Sequence, residues 1–500
     1  FHVCGRSFGA RNLGTSLVSH RSGEPQRPFQ GDRATPVSRR VSVSEVRAWL
    51  EELRGIGMRP GLEVTAALLA RLGMPQMQFP CFHVAGSNGK GSCCVILANA
   101  LTLSGRSCGL FTSPHLCFVE ERIRIDGVPI SAENFDASLS KVRDAAEREP
   151  VTLPSYFEAT FLAAMVAFAD AGVDRAVIET GLGGRLDATR LCVADCCVLT
   201  ALALEHTDVL GDTLAEIAAE KAAIVRPGAL FIAKWTYDAA ARKAIEDAVP
   251  PLQRSLAYWW RYDRAMIIRF DNANKSHRPV RKIEGFDGWS SFQQDAARLA
   301  EITLGFFFDN SVGVVVEPAE MVESAVMHTV WPGRMQWLEH EGVPLLLDAA
   351  HNPSGMEKAC EQLRSQMDKD SHPTPGVILL GCTPQKDIVG FLHPLIELIV
   401  DGEVEHVVVT EPQKGRRPAV PAAEVAAELE AQGVPAKVEQ VVEPTAALAR
   451  AVQLAGDVPP QPVLGIGSIY LVGNLLEAMG LDNRESMTVL RPAPEKQYWT

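Results

Sequence analysis

The sequence predicts an α/β protein built on two mainly parallel sheets. Two observations carry that prediction. From residue 79 onward, short apolar runs of strand character alternate with helical patterns, as in parallel α/β sheets. The alternation then restarts near residue 333, after a break, as a second series. At 500 residues the chain also exceeds what one compact core holds, which calls for two domains. The first series contains Val173 to Thr180, Cys196 to Ala203 and Ala229 to Ala233 as strands, with Phe161 to Ala169 and Thr213 to Val225 as helices. The second begins at Val343 to Asp348 and continues with Gly376 to Leu380, Val404 to Thr410 and Pro462 to Gly467. The expected organisation is a leader over 1–40, a first domain over 41–331, a smaller Rossmann-like domain over 332–485 and a tail over 486–500. Within the first domain, 235–290 reads as an irregular insertion. Tyr258-Trp259-Trp260-Arg261-Tyr262 and the polar stretch Asp271 to Lys282 suit neither helix nor strand.

Composition narrows the function classes. A hydrophobic fraction of 47% with 22% charged residues is that of a globular protein. A formal charge of −13 argues against nucleic acid as a partner, since phosphate neutralisation needs a basic face. No apolar run reaches the roughly 18 residues of a membrane helix, so no membrane association is expected. The eleven cysteines fall mostly inside apolar runs and include no C-x-x-C pair. Buried thiols in a reducing compartment are expected, with neither a disulfide framework nor a zinc site. The first forty residues hold seven Arg, no Lys and only Glu24 and Asp32 as acids, a net charge of +5. That start resembles an organellar transit peptide, or else a disordered leader, so a cytoplasmic or mitochondrial location is expected.

Residues 84–92 read Val-Ala-Gly-Ser-Asn-Gly-Lys-Gly-Ser, directly after an apolar run and before the helix-like stretch Cys93 to Leu103. A glycine-rich turn between strand and helix lets backbone N–H groups close around phosphate. Lys90 adds a point charge, and the helix N-terminus adds its positive dipole end. The spacing is shorter than the usual G-x-x-x-x-G-K-[ST], yet the local chemistry predicts that Asn88, Gly89, Lys90, Gly91 and Ser92 form a turn that binds a nucleoside triphosphate.

Further clusters sit where strands end or helices begin, the usual ligand edge of open α/β sheets. Glu179 ends an apolar strand and is followed by Gly181, Gly183 and Gly184, a good position for a carboxylate facing Mg²⁺. His206, in Glu205-His206-Thr207-Asp208, follows the next strand and would ligate metal only as neutral imidazole. Thr213-Leu-Ala-Glu216 is a capping-box pattern that starts a helix, with Leu214, Ile217, Ala218, Ala222 and Val225 forming its inward stripe. Lys221 stands on that same stripe. A buried lysine must be paired with a carboxylate or chemically altered, for example to a carbamate that becomes an anionic oxygen ligand. In the second series, Pro332-Gly333-Arg334 offers a planar fork to phosphate, and Asp348 ends a strand before Ala349-Ala350-His351-Asn352-Pro353.

Together these residues resemble the folylpolyglutamate synthase and dihydrofolate synthase family, a branch of the Mur-type ATP-dependent ligases. The resemblance runs from about residue 45 to 480. It rests on Val84 to Ser92, Phe111-Thr-Ser-Pro-His-Leu116, Glu121-Arg-Ile-Arg-Ile125, Tyr156-Phe-Glu158, Glu179 to Thr189, Glu220-Lys-Ala222, Pro332-Gly-Arg334, Asp348 to Pro353, Gln385-Lys-Asp387 and Gly467-Ser-Ile-Tyr-Leu471. It implies an ATP site between an N-terminal P-loop ATPase domain and a Rossmann-like domain. It also implies ligation of L-glutamate to dihydropteroate, to folate, or to both, through an acyl phosphate, by a monomeric enzyme. Carried over by position, Ser113, Glu179, His206 and a carbamylated Lys221 would hold Mg²⁺. Lys90, Lys221 and His206 would serve catalysis. Asp295, Arg334 and Asp348 would complete the ATP site, and Ser155, Leu186, Asp187 and Ala188 would meet the pterin substrate.

Three departures from the family pattern stand out. Arg190 replaces an Asn after Asp-Ala-Thr, Glu205 replaces an Asp before the metal His, and Asp295 replaces an Asn in Gln293-Gln294-Asp295-Ala296-Ala297. Two competing readings follow: a cell-wall amino-acid ligase of the same fold, and a nucleotide-binding relative that has lost catalysis. Tyr156-Phe-Glu158 and Gly181 to Thr189 oppose the first; intact Lys90, Glu179, His206 and Lys221 oppose the second.

Overall fold

Strand-forming runs bounded by glycine turns assemble, in the computed structural model, into two separate sheets. Residues 43–491 are described, apart from 58, 60, 252–256, 262–265, 270–277, 280–290, 309–316, 368–373, 403, 416 and 457–458. The expected leader and the residues after 491 therefore lie outside the described part.

The first sheet comprises β1 (Cys81–Ala85), β2 (Cys108–Phe111), β3 (Ile123–Ile125), β4 (Val128–Pro129), β5 (Arg175–Glu179), β6 (Ala194–Leu199), β7 (Leu230–Lys234), β8 (Ala257–Arg261), β9 (Met266–Arg269) and β10 (Arg278–Pro279). Their order is β10-β9-β8-β7-β6-β1-β5-β2-β3-β4. The six strands from β8 to β2 are parallel, and antiparallel pairings extend both edges. Every residue of β1 is buried, as expected of a central strand covered by helices on both faces. Its register sets Val84 opposite Glu179 on one side and Val198 on the other, so the loops after β1, β5 and β6 emerge together.

The second sheet holds β11 (Gln336–His340), β12 (Val343–Asp348), β13 (Val377–Leu380), β14 (His406–Val409), β15 (Lys437–Gln440) and β16 (Val463–Ile466), in the order β11-β12-β16-β13-β14-β15. Only the β11–β12 pair is antiparallel. Separate apolar clusters fill the two domains: Phe391, Leu395 and Leu471, for example, belong to the second, and Phe82, Phe161 and Phe231 to the first. Among the described residues no helix is long and apolar enough to cross a membrane.

Helix Lys90–Leu103 is buried from Cys93 to Leu101 on every side, because it is covered by the sheet and by helices Ser291–Phe308 and Pro318–His328. Helix Leu214–Ala222 begins at the capping box read from the sequence: Thr213 Oγ1 accepts the Glu216 N–H, and Glu216 reaches back to the Thr213 N–H.

The insertion at 235–290 is a point of correction. Ala239–Ala248 is a helix capped by Asp238, and Tyr258 to Arg261 lie in β8, which adds to the sheet beside β7. Trp259 and Trp260 are both buried, in different apolar clusters. Alternation fails as a signal here because successive side chains point to opposite faces and both faces are covered. The boundary at 486 also needs revision. Met487 and Val489 are buried, and the segment lies along the first domain, with the Val489 N–H donating to Gly127 O at 2.9 Å and Asn99 Nδ2 donating to Val489 O at 3.1 Å. The buried Arg124 guanidinium also donates to Met487 O at 3.3 Å. The two domains meet at Gly473 with no room for a side chain: a Cβ there would fall 2.3 Å from Leu116 O.

Candidate active site

One cleft between the sheets collects the loops after β1, β2, β5, β6 and β12 and the segment just before β11. The loop after β1 turns at Gly86, whose φ of +145° and proximity to β6 exclude any side chain: a Cβ would lie 1.9 Å from Thr200 Oγ1. The Ser87 N–H donates to Ala201 O at 2.7 Å, and Thr200 Oγ1 donates to Asn88 O at 2.8 Å, so β6 anchors the turn. Gly89, at φ +85°, starts helix Lys90–Leu103. Lys90 Nζ lies 2.9 Å from both Gly86 O and Ser87 O and folds over its own loop. These contacts hold the ammonium where an incoming polyphosphate would compete for it.

Glu179, at the end of β5, is buried in the cleft wall, and its Oε2 accepts the Ser113 N–H at 3.0 Å. Burial pushes its carboxyl above the ordinary range, opposed by the Lys90 ammonium, by the Ser113 N–H and by Arg334. His206 takes a left-handed backbone, φ +47°, before the short turn Thr207–Leu210. Burial lowers its pKa against the pull of Glu205, favouring the neutral imidazole.

Lys221 is 2% exposed, and its Nζ sits 2.8 Å from Glu205 Oε1 and 3.0 Å from Gly86 O. Unmodified, Lys221 forms the ion pair that the sequence offered as one alternative; a carbamate on the same nitrogen would face the same part of the cleft. Lys221 and then Lys90 hold the Glu205 carboxyl down to about 2 against its burial, while desolvation lowers Lys221 itself. The ion-paired state is the one the contacts support.

The second domain closes the cleft from the other side. Asp348, at the end of β12, accepts the Met335 and Ala350 N–H groups, both at 2.9 Å. Burial raises its carboxyl, opposed chiefly by Arg334, which also lines the cleft. His351 Nδ1 faces Ala349 O at 2.9 Å, and burial brings its pKa down to about 4, so the ring is neutral with Nδ1 as the donor. Asn352 Nδ2 reaches Asn88 Oδ1 across the cleft at 3.3 Å. Lys386 donates to Thr207 Oγ1 near the mouth.

Asn88, Gly89, Lys90, Gly91, Ser92, Ser113, Glu179, His206, Lys221, Arg334 and Asp348 therefore meet in one cleft. Five expected residues do not line it. Asp295 pairs with Lys234 inside helix Ser291–Phe308, whereas Gln293, one turn edge earlier, does face the cleft. Ser155 caps helix Tyr156–Ala171, with its Oγ accepting the Glu158 N–H. Asp187 directs both carboxylate oxygens to its own loop, Ala188 is buried, and Leu186 is exposed to solvent. The sequence reading assigned no role to Glu205, His351, Asn352 or Gln293. His351 and Asn352 lie within four residues of the end of β12 and Glu205 lies in the loop that leaves β6, a usable signal; Gln293 follows no strand.

No three His, Cys, Asp or Glu side chains among the described residues converge into a metal cage. A buried Glu179 carboxylate beside the Ser113 hydroxyl and a neutral His206 still suits a hard divalent cation that keeps waters and substrate phosphates as its other ligands.

A strand-to-helix phosphate loop in one domain, facing the strand ends of a second parallel sheet across a shared cleft, defines the Mur-type ligase architecture. The profile of the Mur ligase, glutamate ligase domain matches residues 333–468. The dihydrofolate synthase/folylpolyglutamate synthase of Bacillus subtilis (strain 168) is 30% identical over 343 residues, covering 65% of this chain and 77% of that protein. The structure of Mycobacterium tuberculosis folylpolyglutamate synthase complexed with ADP superposes with a TM-score of 0.71 at 25% identity, over 88% of this chain and 99% of that one. The bifunctional folylpolyglutamate synthase/dihydrofolate synthase of Yersinia pestis complexed with AMPPNP and Mn ion gives a TM-score of 0.69 at 25% identity, over 88% and 98%. The chain belongs to the dihydrofolate synthase/folylpolyglutamate synthase family.

Proposed function

We propose that this protein is an ATP-dependent ligase that joins L-glutamate to dihydropteroate and to folates through an acyl phosphate. The observation that carries this reading is the cleft itself, where the phosphate loop and Glu179 of one domain face Arg334, Asp348 and His351 of the other. The relatives' names supply the substrate class, and both activities occur in the Bacillus relative's name.

On this reading the N–H groups of Asn88 to Ser92 and the Lys90 ammonium hold the triphosphate, with Lys90 leaving its own loop carbonyls for the phosphates. Arg334 offers its fork from the second domain. Ser113, Glu179 and His206 would hold Mg²⁺, which when bound offsets negative charge on the transferring phosphoryl group. Lys221 fixes Glu205 and the Gly86 carbonyl at the base of the loop. The substrate carboxylate attacks the γ-phosphorus, releasing ADP. The glutamate amine then attacks the acyl carbon and expels phosphate.

The departures from the family pattern do not remove a cleft group. Arg190 Nε donates to Ala223 O at 3.0 Å, and Asp295 pairs with Lys234 away from the nucleotide loop. That supports an active enzyme over an inactive relative. The test is glutamate-dependent ADP release by the purified protein with dihydropteroate or tetrahydrofolate. Lys90→Ala should abolish release while the protein stays folded; normal release by this variant would contradict the ATP site.

A further inference from the structure

His83 lies in the middle of β1, fully buried, between Ile178 of β5 and Cys197 of β6. It does not line the cleft. Its neighbours Phe82 and Val84 are apolar, and an apolar side chain would fill this position without burying a ring nitrogen. Nδ1 is in fact buried with no hydrogen-bond partner. Nε2, by contrast, lies 2.9 Å from Thr189 Oγ1. The Thr189 hydroxyl donates to Asp187 Oδ1, so its lone pair faces His83 and the imidazole proton resides on Nε2.

Asp187 passes this constraint on. Its Oδ2 accepts the N–H groups of Gly181 at 3.0 Å and Leu182 at 2.8 Å, and its Oδ1 accepts the Thr189 N–H at 3.0 Å. Gly181, Leu182 and Gly183 form the cleft wall that follows Glu179. Gly181 itself packs so closely on Phe157 that a Cβ would fall 2.5 Å from the ring. Donors therefore converge on Asp187 from the centre of the sheet and from the wall: His83 donates to Thr189 and Thr189 to Asp187 Oδ1, while the Gly181 and Leu182 N–H groups donate to Oδ2. Asp187 thereby joins the His83–Thr189 pair to the wall, and losing the Thr189 hydroxyl leaves its Oδ1 with only the Thr189 N–H.

We infer that His83 is a positioning residue for the carboxylate substrate: acting through Thr189 and Asp187, it fixes the Gly181–Gly183 wall against which the pteroate or folate substrate binds. This deepens the proposed ligase reading and rests on it. His83 touches no reacting atom; its effect is on the shape of the wall. The phosphate loop has its own anchors, the Thr200 hydroxyl and the Ala201 carbonyl, which this network does not include.

The experiment compares wild type with His83→Leu, Thr189→Val, the double variant and His83→Gln, whose side-chain amide places an N–H near the Nε2 position. Michaelis constants for dihydropteroate or tetrahydrofolate, the constant for ATP, kcat, and hydrogen exchange of the 179–189 peptide are measured on each. His83→Leu and Thr189→Val should each raise the constant for the carboxylate substrate about three- to tenfold, the range one lost hydrogen bond gives. The ATP constant should stay within about twofold, and exchange at Gly181 and Leu182 should accelerate. The double variant should be no worse than the worse single, and His83→Gln should recover most of the loss. Unchanged substrate constants, equal losses for ATP and substrate, or additive singles would overturn the inference. If His83→Leu fails to fold, Thr189→Val with the exchange readout decides. If wild type ligates no glutamate, the ligase reading fails, while exchange still reports whether His83 holds the wall.

Discussion

Replacing Lys221 with methionine should destabilise the protein by about 3 kcal/mol at neutral pH. The Lys221 and Glu205 side chains are 2% and 10% exposed, and their charged atoms are 2.8 Å apart. Removing one member of a buried pair leaves the other charge uncompensated, at a cost of about 3–5 kcal/mol. Lys90 also acts on Glu205, which places the expected value at the lower end. Combining Lys221→Met with Glu205→Gln removes both charges and should return the protein to within about 1 kcal/mol of wild type. The pH dependence has a definite sign. Glu205 is held at about 2 against an ordinary value of 4.5, so its contribution is complete above pH 4.5 and is lost as pH falls towards 2. Without Lys221 the carboxyl titrates higher, so the deficit of the single variant should shrink between pH 7 and pH 5. Denaturant unfolding without nucleotide, followed by tryptophan fluorescence at both pH values, measures this. A deficit under 1 kcal/mol at pH 7, or a double variant as unstable as the single, would refute the buried-pair argument.

Arg334→Ala should weaken ATP binding by about 1.5–3 kcal/mol, as for a lost charged hydrogen bond, with nucleotide-free stability unchanged; calorimetric titration and melting on the same sample separate this from a structural role. His83 has its pKa brought down by burial from 6.5 to about 3, so the unfolded chain takes up a proton in that window that the folded chain refuses. Stability should therefore fall with decreasing pH between 6.5 and 3, by up to about 1.4 kcal/mol per pH unit from this residue. His83→Gln should flatten that slope in unfolding experiments across the window.

The phosphate loop, the strand-end acids and the capping box at Thr213 were legible because each is local. A glycine turn, an acid after an apolar run and a Ser/Thr-x-x-Glu step need only neighbouring residues. Lys221 could be placed on a buried stripe, but its partner sixteen positions earlier could not be chosen, since contact between Glu205 and Lys221 depends on how β6 and helix Leu214–Ala222 pack. Asp187 and Ser155 show the converse limit. Their family positions suggest substrate contacts, yet here both side chains organise backbone N–H groups of their own segments. β8 was illegible because burial on both faces erases alternation, and the packing of Met487 in the second domain's core and of Val489 in the first domain's has no local signature at all.

A ligase of this kind activates its substrate carboxylate by phosphoryl transfer, here within the cleft that joins the phosphate loop to Arg334 and Asp348. Dihydropteroate or tetrahydrofolate carrying heavy oxygen in the reacting carboxylate, incubated with ATP, glutamate and the protein, tests it directly. One labelled oxygen should appear in each inorganic phosphate released, the other remaining in the new amide, with product heavier by one glutamyl residue and one ADP formed per product. Unlabelled phosphate alongside normal amide formation would contradict the acyl phosphate, and ADP release without glutamyl product would contradict the ligase itself.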